Sequence, residues 1–247
     1  MSETFDDLVG TNDTFIVMVG QPQEEFELLC DTFYPRTTYF QETHVKRRKG
    51  TKAPEWSIPI LTNEDPAIFA DYARCVYFAI IPKAPAYDED VHIQQAHFDR
   101  LFELYLLAHK FGDHKAANLV VDEIYVCTAR IEEAPKAVDI NMVYSRNTSG
   151  NPLRAFLCDM KIYGGCLEDW PQSDPTDFDR GFLEDLTMEF MKIKSVHLRS
   201  TTGEAFSLDV LERRVTECHY HLHDDGLKCT QPRSAEVAEL ILSRRAN

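Results

Sequence analysis

The stretch between residues 98 and 128 limits most strongly what this chain can fold into. Phe98, Leu101, Phe102, Tyr105, Ala108 and Phe111 recur at spacings of three and four and make one wide apolar stripe. Gly112 stands where a left-handed residue ends a helix, and Asp113 can cap a helix that starts directly after it. That second helix, His114 to about Thr128, carries Ala117, Val120, Val121, Ile124 and Cys127 on one face. The expected unit is a tight helical hairpin with a buried seam.

Upstream, the apolar period changes. Thr14-Phe15-Ile16-Val17-Met18-Val19 is a short β-favouring run ending at Gly20-Gln21-Pro22, and Glu25-Phe26-Glu27-Leu28-Leu29 begins with alternating acidic and apolar residues. Together they read as a β-hairpin. Pro35 and paired threonines divide residues 31–48 into two short helices, and a basic loop, Val45 to Pro54, follows. Ser57-Ile58-Pro59-Ile60-Leu61 is a third strand, which its proline places at a sheet edge or strand terminus. Asp65 and Pro66 then supply an N-cap and first helical residue for a helix over 67–81, with Phe69, Tyr72, Ala73, Val76, Tyr77 and Ile80 on its buried face. Pro82, Pro85 and Asp88-Glu89-Asp90 form the linker to the hairpin.

Beyond Pro135 only helices are expected. They run over 137–144, from Asn151-Pro152 to the stop at Gly164-Gly165, over 178–193, and over 235–244. The break at residues 129–136 divides the chain into a domain over 10–131 and a helical extension over 135–247. The expected class is therefore α+β, a small sheet packed on a helical cluster followed by an all-helical extension.

The 41 acidic and 26 basic residues give a formal charge of −15, a field that repels polyphosphate, so direct binding to nucleic acid or an anionic membrane is not expected. No run of about 18 apolar residues or basic-apolar leader appears, so no membrane association is expected. Seven scattered cysteines suit reduced thiols better than a disulfide framework. Cytosol or nucleus is the expected location.

The order hairpin, short helices, third strand, helix, helical hairpin resembles a BTB/POZ domain. The residues carrying the likeness are Phe15 to Gly20, Glu25 to Leu29, Ile60 to Phe69 and, most specifically, Leu104-Tyr105-Leu106-Leu107-Ala108-His109-Lys110-Phe111-Gly112-Asp113. More narrowly the chain resembles filamentous-fungal BTB proteins of similar length, which have close parallels to Ala116-Ala117-Asn118-Leu119 and Asn151-Pro152-Leu153-Arg154. It departs from them at Cys30-Asp31, where the family usually has His-Lys, at Thr37-Thr38, and in long segments at 44–56 and 82–96. The resemblance implies a non-enzymatic protein–protein interaction module that forms a homodimer. Its alternative implication is a substrate adaptor for a cullin-3 ubiquitin ligase.

Catalytic signatures are missing: there is no glycine-rich phosphate loop, Gly-x-Ser-x-Gly elbow or His-Glu-x-x-His helix. No enzymatic activity and no required cofactor are expected. Cys75 and Cys127 sit on apolar helix faces, where cysteine is most often a small core residue. His109 reads as a helix-terminal histidine favoured by the dipole there. One cluster is richer, Cys218-His219-Tyr220-His221-Leu222-His223-Asp224-Asp225-Gly226-Leu227-Lys228-Cys229. If the chain reverses at Asp224-Asp225-Gly226, Cys218, His221, His223 and Cys229 offer a closed two-Cys, two-His set for a structural zinc. An extended strand would instead align His219, His221 and His223, so the set needs a non-strand turn, or His219 replaces one histidine. The other reading is a polar hairpin with two incidental thiols.

Overall fold

Strand β1 (Thr14–Val19) alternates in burial, with Phe15, Val17 and Val19 inward, as a half-buried strand does. β2 (Glu24–Leu29) pairs with it antiparallel, Thr14 opposite Leu29 and Val19 opposite Glu24. β3 (Ile60–Leu61) lies parallel to β1 on its other side, giving the order β2-β1-β3. The edge position explains the proline: Pro59 contributes only its carbonyl, which accepts from the Met18 N–H at 2.9 Å. The computed structural model describes residues 14–42, 59–83, 91–131, 135–146, 150–163, 174–197 and 208–223. The basic loop, the Gly164-Gly165 stop, Cys166, the Asp224 to Gly226 reversal, Cys229 and the helix expected over 235–244 lie outside them. Among the described residues the chain is mixed α+β, a small three-stranded sheet with mostly helices. None of those helices is long and apolar enough to cross a membrane.

By contacts the chain divides into two compact units, Met1–Pro82 with Glu103–Ala117, and Lys83–Phe102 with Asn118–Asn247. The boundary expected at 129–136 lies inside the second. The first unit holds the sheet, α1 (Cys30–Phe33), α2 (38–42) and α3 (Pro66–Phe78). Its core is aromatic: Phe15 stacks on Tyr34 at 4.9 Å, Phe33 meets Tyr72 edge-on at 6.1 Å, and Phe111 contacts Phe40 and Tyr72 at 5.1 and 5.2 Å.

The Asp65 carboxylate caps α3 as expected, accepting from the Ala67 N–H at 2.7 Å. The helix nevertheless ends at Phe78, short of residue 81, because Ala79 turns left-handed at φ 53°. Ile80, expected on the buried face, is instead 55% exposed, and Phe78 is 68% exposed.

The long helices are α4 (Val91–Phe111) and α5 (His114–Ile131). All six residues of the expected α4 stripe are buried, as is the α5 set from Ala117 to Cys127. Gly112 takes φ 72°, and a Cβ there would collide with Thr38 Oγ1, so the two-residue joint of Gly112 and Asp113 requires glycine at its first position. The Asp113 carboxylate accepts from the Ala116 N–H at 3.0 Å. α4 starts seven residues before Phe98, inside the expected linker. Its extra turns bury Gln94 and His97, polar residues at helical spacing that hide the period in the sequence.

Downstream, the second unit has α6 (Ala137–Arg146), α7 (Pro152–Tyr163), α8 (Arg180–His197) and α9 (Leu208–Thr216). Asn151 caps α7 through the Leu153 N–H at 2.8 Å, as the Asn-Pro pair predicts. α9 is the one described helix longer than two turns that periodicity did not reveal.

Candidate metal centre and ionic cleft

α9 leads into a hydrogen-bonded turn in which the Glu217 N–H reaches the Arg213 carbonyl at 2.8 Å and the His219 N–H reaches the Arg214 carbonyl at 3.0 Å. At the turn Cys218 adopts φ 59°, a left-handed conformation that costs a non-glycine residue about 1–2 kcal/mol. The segment is therefore not the extended strand that would align the odd-numbered histidines. It brings the ligand atoms of Cys218, His221 and His223 within 4.8 Å of one another. His219 is outside that group and packs edge-on against Tyr220 at 5.3 Å. Cys229, the fourth expected ligand, lies outside the described residues.

Two residues of α5, one turn apart, hold this segment. The Asn118 side chain makes both backbone bonds to Leu222, accepting from its N–H at 2.7 Å and donating to its carbonyl at 3.0 Å. Asp122, 4% exposed, lies 3.0 Å from the Nε2 of His221, a buried carboxylate–imidazole pair. In the sequence Asn118 belongs to the run that carries the family likeness, and nothing singles out Asp122. Their i,i+4 spacing on an otherwise apolar helix face is the signal that could have found them.

A third anchor sits on α7. Asp159, 1% exposed, receives Arg214 Nη1 on both oxygens at 2.6 and 2.5 Å and the Tyr220 hydroxyl at 2.5 Å. Burial pushes this carboxyl upward, and the bonds from Tyr220 and Arg214 oppose the rise. Arg214 also donates to Glu189 at 2.9 Å.

These groups border a cleft of about 270 Å³ lined by Arg154, Cys158, Asp185, Lys192 and His219 among others. Its charges are matched: Arg154 with Asp185 at 2.8 Å, Lys192 with Glu189 at 3.1 Å, and Arg214 with Asp159 and Glu189. Burial pushes the Cys158 thiol up to about 12, which makes it a poor nucleophile at neutral pH. In the same unit Asp139 accepts from the Lys136 N–H at 2.8 Å, as a helix-capping carboxylate does, and Gln95 donates both to it and to Asp99. Burial and the Asp99 carboxyl push Asp139 up to about 7.

The remaining sequence-level candidates are core residues or nearly so. Cys75 is fully buried, and burial raises its thiol to about 12. The His109 ring packs at the end of α4, stacked on Tyr105 at 6.0 Å, and burial, then His114, lowers its pKa. Cys127 is buried as expected, but beside His97 and Glu123 rather than among apolar side chains alone. None of Cys30, Cys75, Cys127, Cys158 and Cys218 forms a disulfide. No family model, curated protein or solved structure matches the chain.

Proposed function

We propose that this chain is a non-enzymatic protein-interaction module of BTB-like type that self-associates through its first unit, with a structural zinc holding the turn after α9. The observation that carries the first part is the apolar end of α3. Phe78 and Ile80 stand in solvent on either side of the left-handed Ala79, and the Leu29 N–H bond to the Tyr77 hydroxyl at 2.9 Å brings the end of β2 to the same helical turn. Large apolar side chains grouped in this way are a liability in a monomer and an anchor in an interface. The element order, which matches the residues that carry the BTB resemblance, supports a second copy as the occupant.

Each copy carries −15, so association works against repulsion and strengthens as salt screens it. Replacing Phe78 and Ile80 together by aspartate is expected to weaken self-association by at least about 100-fold, since central interface anchors are each worth about 2 kcal/mol or more. Light scattering across a concentration series reads this. Self-association that is unchanged in the double variant would reject the surface. An association with purified cullin-3 N-terminal region that the variant leaves intact would favour the adaptor reading.

Zinc suits the turn because Cys218, His221 and His223 already converge, and Cys229 would complete a two-thiolate set that leaves the site neutral. With Nε2 held by Asp122, ligation at the His221 ring falls to Nδ1, and the carboxylate fixes the tautomer. Replacing Cys218 and Cys229 by serine should remove one equivalent of zinc, and Asp122→Asn should weaken its binding about 10–100-fold. Elemental analysis that finds the same zinc content in the double-serine variant would reject this site.

A further inference from the structure

α5 carries a second polar pair at i,i+4, on a face different from that of Asn118 and Asp122. Glu123 and Cys127 lie one turn apart, 8% and 0% exposed, and His97 of α4, 8% exposed, meets them within the second unit. The ligand atoms of the three lie within 4.8 Å of one another. Cys127 Sγ is 3.7 Å from Glu123 Oε1. A carboxylate, an imidazole and a thiol gathered away from water are an expensive set in an otherwise apolar seam.

From these positions we infer that His97, Glu123 and Cys127 form a buried zinc site, separate from the turn after α9. A tetrahedral zinc with sulfur at about 2.3 Å and oxygen at about 2.1 Å sets their S···O edge at about 3.6 Å, close to the spacing already present. Charge also balances: one thiolate and one carboxylate with a neutral imidazole cancel the dication, so the loaded site carries no net charge into the interior. On binding, the Cys127 thiol gives its proton to solvent as the Zn–S bond forms, so affinity rises with pH. Three protein ligands leave the fourth position to water. The metal ties α4 to α5 where the polar residues interrupt the apolar seam.

The test uses the full chain with Cys218 and Cys229 replaced by serine, stripped of metal and titrated with cobalt(II), so that loss of the turn site does not decide the outcome. The expected result is a near-ultraviolet thiolate-to-cobalt band that saturates at one equivalent, disappears on the further change Cys127→Ser and survives Cys158→Ser. Should Cys127→Ser fail to fold by far-ultraviolet circular dichroism, Glu123→Gln and His97→Gln supply the reading, each weakening cobalt binding at least about 10-fold with the band retained. Folded protein with no band, a band that survives Cys127→Ser, or unchanged affinity in both glutamine variants would overturn the site.

Discussion

Replacing Asp113 by alanine is expected to destabilise the first unit by about 3–5 kcal/mol, the cost of breaking a buried ion pair by removing one partner. The carboxylate is 1% exposed and does four things at once. It pairs with Arg36 Nε at 3.1 Å and Nη2 at 3.2 Å, accepts the Tyr72 hydroxyl at 3.3 Å, and caps α5 through the Ala116 N–H at 3.0 Å. Arg36 in turn donates to the Val76 carbonyl at 2.8 Å, so the network joins the segment after α1, the middle of α3 and the joint between α4 and α5. Alanine would leave a guanidinium that is only 18% exposed without its counter-charge and a fully buried phenol without its acceptor. Burial first, and then Asp113, hold the Tyr72 phenol protonated, which makes it a donor in need of that acceptor. Urea unfolding followed by circular dichroism reads the loss. Asp113→Asn keeps an oxygen for the cap and should lose less. A loss below about 1 kcal/mol in the alanine variant would mean that the network is ornamental.

Asp159→Ala is expected to cost about 3–4 kcal/mol in the second unit, for a related but separable reason. Arg214 keeps Glu189 as a partner, so the orphaned charge is smaller than in the first case, but the Tyr220 hydroxyl, in a side chain 2% exposed, loses its acceptor. α9 has only Leu211 and Val215 buried among its described side chains, and the Arg214–Asp159 ion pair adds to their hold. Releasing it should open the segment from residue 208 to 223. Limited trypsinolysis tests this, because Arg213 and Arg214 themselves become cleavage sites. Cleavage there should accelerate at least about 10-fold in the variant, in line with the lost local stability. Equal cleavage rates in wild type and variant would show that α9 is held by other contacts.

The parts of the fold legible in the sequence share a property: each is announced by local chemistry. Asp65-Pro66, Gly112-Asp113 and Asn151-Pro152 mark helix ends because the cap bonds are made within two or three residues. The hairpin and the edge strand follow from alternation and from Pro59 in the same way. What was hidden depends on distant partners. The first turns of α4 are hidden because Gln94 and His97 are polar residues at buried positions, and α9 is hidden because its described buried apolar residues, Leu211 and Val215, make a stripe too short to announce a helix, while Arg214 beside them reaches a carboxylate 55 residues earlier. The early end of α3 was hidden because Ala79, unlike glycine, does not advertise a left-handed conformation.

The candidate site divides along the same line. Cys218, His221 and His223 were visible as metal-ligating types in one short run, and the requirement for a non-strand turn could be stated from the alternation of the histidines. Which histidine joins depends on the turn, and there Cys218 at positive φ separates His219 from the other two. The Asn118, Asp122 and Asp159 anchors come from α5 and α7, and no local pattern ties them to their partners Leu222, His221 and Tyr220. The same holds for His97 beside Glu123 and Cys127, where the sequence shows an apolar helix face and only the packing of α4 on α5 discloses a donor set.

If two copies of this chain associate through the end of α3, sedimentation equilibrium of the 247-residue chain reads it as a doubled mass. At micromolar concentration and moderate salt, the expected mass is about 57 kDa, twice the 28.4 kDa chain, falling to a single chain's mass for the Phe78→Asp, Ile80→Asp variant. A wild-type mass of one chain throughout the concentration range, at low and high salt alike, would contradict it.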